Sequence, residues 1–274
     1  MKRIRFVMAA AAAFLAAPVL NASAADLAYT KSPVVPVYNW TGLYVGGTAG
    51  GAWQRARNVY TDYDPGLGFT VFGSALDLGV LARSTSQNSA GALGGVTLGY
   101  NWQRGTVVVG VEGDWSWTGL KATSVTTLPP CCFFPAVKTT AETRTDWLAT
   151  LRGRIGMLAA PQTLLFVTGG LALGEIKTSV DVAPMGTSSC ANNSLCAVGN
   201  ASATRVGWTA GAGIEHAVAG NWTVKVEYLH YDLGSVSYRA VEASPAFAFV
   251  GVPFLNVNTR VSGEIGRVGV NYRF

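Results

Sequence analysis

Past its first two dozen residues the chain has no apolar run long enough to cross a bilayer as a helix, which takes about 20 residues. Charge is scarce: 13% of the 274 residues are Asp, Glu, Lys or Arg. Histidine occurs twice and cysteine four times, so a histidine-built metal centre has little to draw on and none is expected. Yet the mean hydropathy is +0.28, high for a water-soluble protein. Spanning helices being excluded, apolar content can still hide in alternation, on strands with one greasy and one wet face. The 33 glycines, 8 Trp, 10 Tyr and 11 Phe suit such strands, with aromatics placed where hydrocarbon meets water.

The last residues carry that alternation to the end of the chain. Val268, Val270, Tyr272 and Phe274 fall on one parity; Arg267, Gly269, Asn271 and Arg273 fall on the other. An ending in Tyr272 and Phe274 resembles the signal read by the bacterial outer-membrane barrel assembly machinery, an expected partner. At the other end, Lys2, Arg3 and Arg5 precede the apolar stretch Phe6 to Leu20, and Ala22-Ser23-Ala24 fits a secretory cleavage site. The expected organisation is a signal peptide over 1–24, a periplasmic tether over 25–40 containing Pro33 and Pro36, and a barrel over 41–274. Export of the Sec type to the outer membrane of a Gram-negative cell follows. The leader holds three of the 20 basic residues and no acid, leaving 17 against 15 in the mature chain. The basic charge is thus partly the leader's, and no nucleic-acid partner is inferred.

Alternation predicts eight strands: about Thr41–Arg55, Ser89–Gln103, Thr106–Gly119, Glu142–Leu158, Thr163–Thr178, Thr204–Val218, Trp222–Ser235, and a last one after Val257. Short turns at Gln103–Gly105, Ala159–Gln162 and Ala219–Asn221 alternate with four long loops, the first read as polar. This is an all-β, eight-stranded antiparallel transmembrane barrel with short periplasmic turns and long extracellular loops. Strand five can be read with either parity toward lipid. Glu264 has outward parity and is tolerable only above the hydrocarbon. Trp40, Trp102, Trp147, Trp208 and Trp222 read as girdle anchors.

Inward parity collects Glu112, Asp114, Glu215 and Glu227 with Arg152, Arg154, Lys225 and Arg267. Four acids and four bases in one narrow tube are expected to pair, because an unpaired buried charge is very costly. Such a network would fix register and block diffusion; separate charges would line a hydrated channel instead.

The segment Tyr38-Asn39-Trp40-Thr41-Gly42-Leu43-Tyr44-Val45-Gly46-Gly47, the Asp26-Leu27 pair, Thr168-Gly169-Gly170-Leu171-Ala172 and the ending Val268 to Phe274 resemble the small alphaproteobacterial outer-membrane β-barrel proteins. These carry a porin-family label and are similar in fold to the OmpA transmembrane domain. The resemblance implies a surface protein tied to envelope integrity, host contact or small-solute passage, without an active site. Members of that family often lack cysteine-bearing loops, so loops two and three here depart from it. The expected surroundings are outer-membrane lipid and lipopolysaccharide, with extracellular or host ligands unknown. The expected role is structural and interactive at the surface, with a narrow porin or a loop-borne adhesin as alternatives.

Little else offers chemistry, and neither a cofactor nor an enzymatic activity is expected. Cys131 and Cys132 in the second loop, with Cys190 and Cys196 in the third, allow three disulfide connectivities in a compartment that permits them. His230 shares a parity with Asp232, but a hydrolase also needs a nucleophile in reach, and Ser262 is the sole neighbouring-strand candidate. Gly46-Gly47 and Gly169-Gly170 lie within strands rather than before a helix, so they mark close packing, not a phosphate cradle.

Overall fold

The computed structural model describes residues 38–62, 71–131, 136–185, 196–242 and 254–274. The expected signal peptide, most of the tether, Cys132 and Cys190 lie outside the described residues. Eight strands form: β1 (Gly42–Asp62), β2 (Ser84–Arg104), β3 (Val107–Leu128), β4 (Val137–Ala160), β5 (Thr163–Pro184), β6 (Ala197–Ala219), β7 (Trp222–Glu242) and β8 (Phe254–Arg273). Each pairs antiparallel with its sequence neighbours, and β8 returns to β1, closing the barrel. Closure leaves no unpaired outer edge in contact with lipid, as a membrane requires. At two of the three short turns, Gly105 (φ +62°) and Gly220 (φ +52°) take the left-handed conformation.

The strands hold 20–24 residues, about twice the 9–11 that span the hydrocarbon, and so run well past the expected ends. A change of phase explains the difference. On β1, Leu43, Val45 and Trp53 point outward, exposed on the wall. Above Trp53 the outward residues are Arg55 and Arg57, while Ala52, Ala56 and Tyr60 on the inner parity are buried. Alternation persists, but the apolar face turns from lipid to lumen as the strand leaves the membrane. On β4 the switch coincides with a bulge between Thr145 and Leu148, and on β7 with one between Asp232 and Gly234.

The first loop is not wholly polar, as its sequence suggested. It contains a helix, α1 (Val71–Asp77), whose Phe72, Ala75 and Leu76 stand at i, i+3 and i+4 and are buried. With Val80 and Leu81 they fill the barrel mouth, packed on Tyr60, Val137, Val180 and Leu255 from four different strands.

Strand five resolves with its even parity inward. Leu164 and Phe166 are buried, whereas Leu165, Val167 and Leu171 face out. Trp40 is a second departure. It is not a girdle anchor but is 1% exposed, packed with Val108, Leu164 and Phe166 across the periplasmic end. Its backbone N–H donates to Gln103 Oε1 at 2.7 Å. Gly42, at φ +143°, makes the bend between this floor and β1, where a side chain would be strained. Trp102, Trp208 and Trp222 do face outward, and Trp147 stacks on Trp115 with ring centroids 4.5 Å apart.

Candidate functional site

Directly above the Trp40 floor, β3, β4, β6, β7 and β8 each place charged residues into the lumen. All eight inward charges named from the sequence are buried there. Arg152 stands at the centre. Its Nη1 donates to Glu227 Oε1 at 2.6 Å, its Nη2 to Asp114 at 2.9 Å and to Glu112, and its Nε to Thr150 Oγ1 at 2.8 Å. Arg267 forks onto Asp114 at 3.0 and 3.1 Å and donates Nε to Glu227 at 2.8 Å. Lys225 Nζ reaches both oxygens of Glu112, at 2.7 and 2.9 Å. Arg154 Nη2 donates to Glu215 at 2.7 Å, while its guanidinium lies 4.2 Å from the Phe166 ring centre.

Most of these contacts cross the tube rather than follow the ladder. Glu215 faces Lys225 in register on β6 and β7, yet the ammonium turns to Glu112 on β3. Arg152 on β4 reaches Glu227 on β7, and Arg267 on β8 reaches Asp114 on β3. The layer is therefore a cross-brace of net charge zero. Sequence reading missed its neutral members. Tyr44 donates to Glu112 at 2.7 Å, Thr223 and Asn271 donate to Glu215 at 2.6 and 2.9 Å, and Thr150 donates to Asp114. Inward parity at the same height was the available signal for all four.

Glycine makes room for the bases. Opposite each one, on an adjacent strand, stands Gly50 (Arg267), Gly110 (Arg154), Gly170 (Arg152) or Gly269 (Lys225). A Cβ at Gly170 would lie 2.1 Å from Leu151 O and 2.7 Å from Arg152 Cα. Eight strands enclose so narrow a lumen that bulk on both sides cannot fit.

Above the ions lies an apolar layer in which Leu93, Leu120, Leu148, Ile176, Leu229 and Ile265 are buried together. Asn58, Thr85, Thr259 and Tyr60 then form a hydrogen-bonded group, Thr259 donating to Asn58 Oδ1 at 2.7 Å. The α1 cluster completes the stack. A furrow of 640 Å³ lies against Leu43, Val45, Val96, Leu98 and Trp115, all pointing outward; it belongs to the lipid-facing wall.

The His230 arrangement weighed from the sequence is not assembled. His230 Nδ1 lies 2.9 Å from Glu264 Oε1, and Asp232 pairs with Arg260 at 2.7 Å instead. Glu264 sits opposite Trp53 at the upper girdle and also accepts from Tyr228 OH, which accounts for a carboxylate on the outer face. Cys196 is buried and disulfide-bonded, its partner lying outside the described residues; Cys131 is half-buried against the α1 cluster. Tyr272 and Phe274 pack edge to face, centroids 5.2 Å apart, on the periplasmic rim. No group of metal-ligating side chains occurs among the described residues.

A closed ring of eight antiparallel strands, with an apolar outer belt and a filled centre, defines an integral outer-membrane β-barrel protein. The chain belongs to the outer membrane protein beta-barrel domain family, whose pattern matches residues 9–274. It is 33% identical over 264 residues to the 31 kDa outer-membrane immunogenic protein of Brucella melitensis, covering 93% of this chain and 94% of that one. The 22 kDa outer membrane protein of Rhizobium leguminosarum bv. viciae is 29% identical over 232 residues, covering 82% of each chain. Among solved structures, Neisserial surface protein A superposes with a TM-score of 0.36 at 13% identity, over 85% of this chain and 98% of that one.

Proposed function

We propose that the protein is a sealed structural barrel that carries a rigid strand-built platform above the outer membrane for surface contact. The filled lumen is the observation that supports it. The Trp40 floor, the ion layer, the apolar layer and the α1 lid follow one another along the axis. A water path would have to break several of them together. A single constriction could open by one side-chain movement; this stack could not. The charges act as a cross-brace that holds strand register, a use of buried ion pairs better attested than net stabilisation.

No catalytic role is proposed. The two histidines are bonded outside the lumen, His230 to Glu264 and His216 to the Thr163 hydroxyl at 3.0 Å, and among the described residues neither has both a hydroxyl nucleophile and an orienting carboxylate in hydrogen-bond contact. Surface display agrees with relatives whose names call them immunogenic. Assembly through the Tyr272–Phe274 ending remains part of the same reading.

Liposome swelling tests it. Vesicles holding the refolded mature chain should shrink in arabinose or glycine as protein-free vesicles do, without re-swelling. Re-swelling that scales with protein content would overturn the sealed-barrel reading.

A further inference from the structure

Above the membrane the outer wall is electrically uneven. On the β3–β5 side three bases have acid partners, Lys121 with Glu142 at 3.1 Å, Lys177 with Asp146 at 2.8 Å, and Arg144 with Asp146, while Lys138 at the upper end of β4 is exposed without one among the described residues. The β6–β8–β1 side differs. Arg55 and Arg57 on β1, Arg260 on β8 and Arg205 on β6 are all exposed. Among the described residues, Asp232 against Arg260 is the sole carboxylate in ion-pair contact with any of the four.

These arginines are also gathered. Arg57 stands directly opposite Arg260 in the β1–β8 ladder, an arrangement of like charges that destabilises a sheet. Arg55 is the next outward residue below on the same strand. The β6–β7 register lapses between the Val198 and Trp208 pairings, which lets Arg205 emerge outward. Its guanidinium donates to the backbone carbonyl of Ser235, the residue paired with Arg260. Glu264 lies two outward positions below Arg260, opposite Trp53, its oxygens taken by Tyr228 and His230.

Height identifies what would offset this repulsion. Trp53 is the uppermost outward aromatic residue of β1, with Val59 the sole outward apolar residue above it on that strand, and Trp208 and Tyr228 also stand exposed. At about 3.3 Å per residue and a tilt near 40°, Arg55 and Arg57 stand roughly 5 and 10 Å above Trp53. Anionic headgroups occupy that depth, and guanidinium matches phosphate with paired hydrogen bonds. A soluble anion would have no use for the apolar wall beneath; a lipid would use both.

We propose that the β6–β8–β1 wall binds a phosphorylated outer-leaflet lipid of the lipopolysaccharide type. Arg55, Arg57, Arg205 and Arg260 take its phosphate oxygens, and the wall around Trp53 takes its acyl chains. The site does not depend on whether the lumen conducts.

The test uses the full mature chain folded in neutral detergent, with folding of every variant checked by heat-dependent gel shift. Native mass spectrometry would titrate bisphosphorylated lipid A, phosphate-free lipid A and inorganic pyrophosphate. The Arg55→Gln/Arg57→Gln/Arg260→Gln variant should lose affinity for phosphorylated lipid A by on the order of tenfold or more. Lys121→Gln/Arg144→Gln/Lys177→Gln on the other wall should change it little, and phosphate-free lipid A should bind weakly to all. Should the first variant fail to fold, Arg55→Gln/Arg57→Gln carries the test, since neither arginine has a carboxylate partner among the described residues. Equal losses in both sets, indifference to lipid phosphorylation, or displacement of lipid by equimolar pyrophosphate would each overturn the proposal, the last by making it a free-anion site.

Discussion

Arg152 has three carboxylates and a threonine hydroxyl around one guanidinium, with none of its side chain exposed. Removing it leaves Glu112, Asp114 and Glu227 facing one another with less positive charge than negative. Breaking a buried pair in this way costs about 3–5 kcal/mol, because the remaining charge is stranded. Arg152→Ala should therefore lower folding stability in vesicles by about that amount, read from urea titration of tryptophan fluorescence. Arg144, paired with Asp146 but 56% exposed, should cost less than about 1 kcal/mol in the same assay. Similar costs for the two would mean that the lumenal charges are separately hydrated. The eight charges were readable by parity alone, since a buried charge on an inner face has to be answered by another. Tyr44, Thr150, Thr223 and Asn271 share that inward parity, but neutral side chains leave no deficit to balance, so parity alone did not single them out. Trp40 misled for a related reason: a tryptophan next to a strand reads as an interface anchor, and the bend at Gly42 that turns it inward is a backbone property.

At the scale of elements, strand count, order and short turns followed from period-2 alternation, but strand length did not. A search for apolar residues facing out falters at Trp53 on β1, although the strand continues to Asp62 with Ala56 and Tyr60 facing in and Val59 alone facing out. Strand five was ambiguous because both faces are apolar near its start. One meets lipid and the other meets the Trp40 floor, a partner that lies outside the strand in sequence. The α1 lid was legible in the spacing of Phe72, Ala75 and Leu76 but is only seven residues long, too short for periodicity to stand out. The glycine opposite each lumenal base is an element-level device, since it sets how closely two strands approach. Gly170→Ala would place a methyl group 2.1 Å from the Leu151 carbonyl, and backbone cannot step aside easily. A cost of about 1–3 kcal/mol is expected, with a lower temperature for the gel-shift transition. Gly105→Ala, at a turn with open space around the site, should cost less, its penalty coming from a positive φ alone. If Gly170→Ala were neutral, the crowding of the lumen would be overstated.

At the scale of the whole molecule, the barrel is two structures end to end. The lower half is a membrane barrel, apolar outside and charged within. The upper half resembles a soluble β-barrel turned right side out, polar outside and filled with apolar side chains. The lower ion layer and the upper core fill the same axis by different physics, so in the proposed sealed barrel loss of one would leave the other in place. That redundancy is the reason a structural role is favoured over passive transport. Single-channel recording in planar bilayers tests it most directly, using mature chain whose folding has been verified by gel shift. The account predicts a silent membrane for the wild type. Stable, reproducible conductance steps from the folded wild type would contradict it and turn the lumenal charges into the lining of a pore.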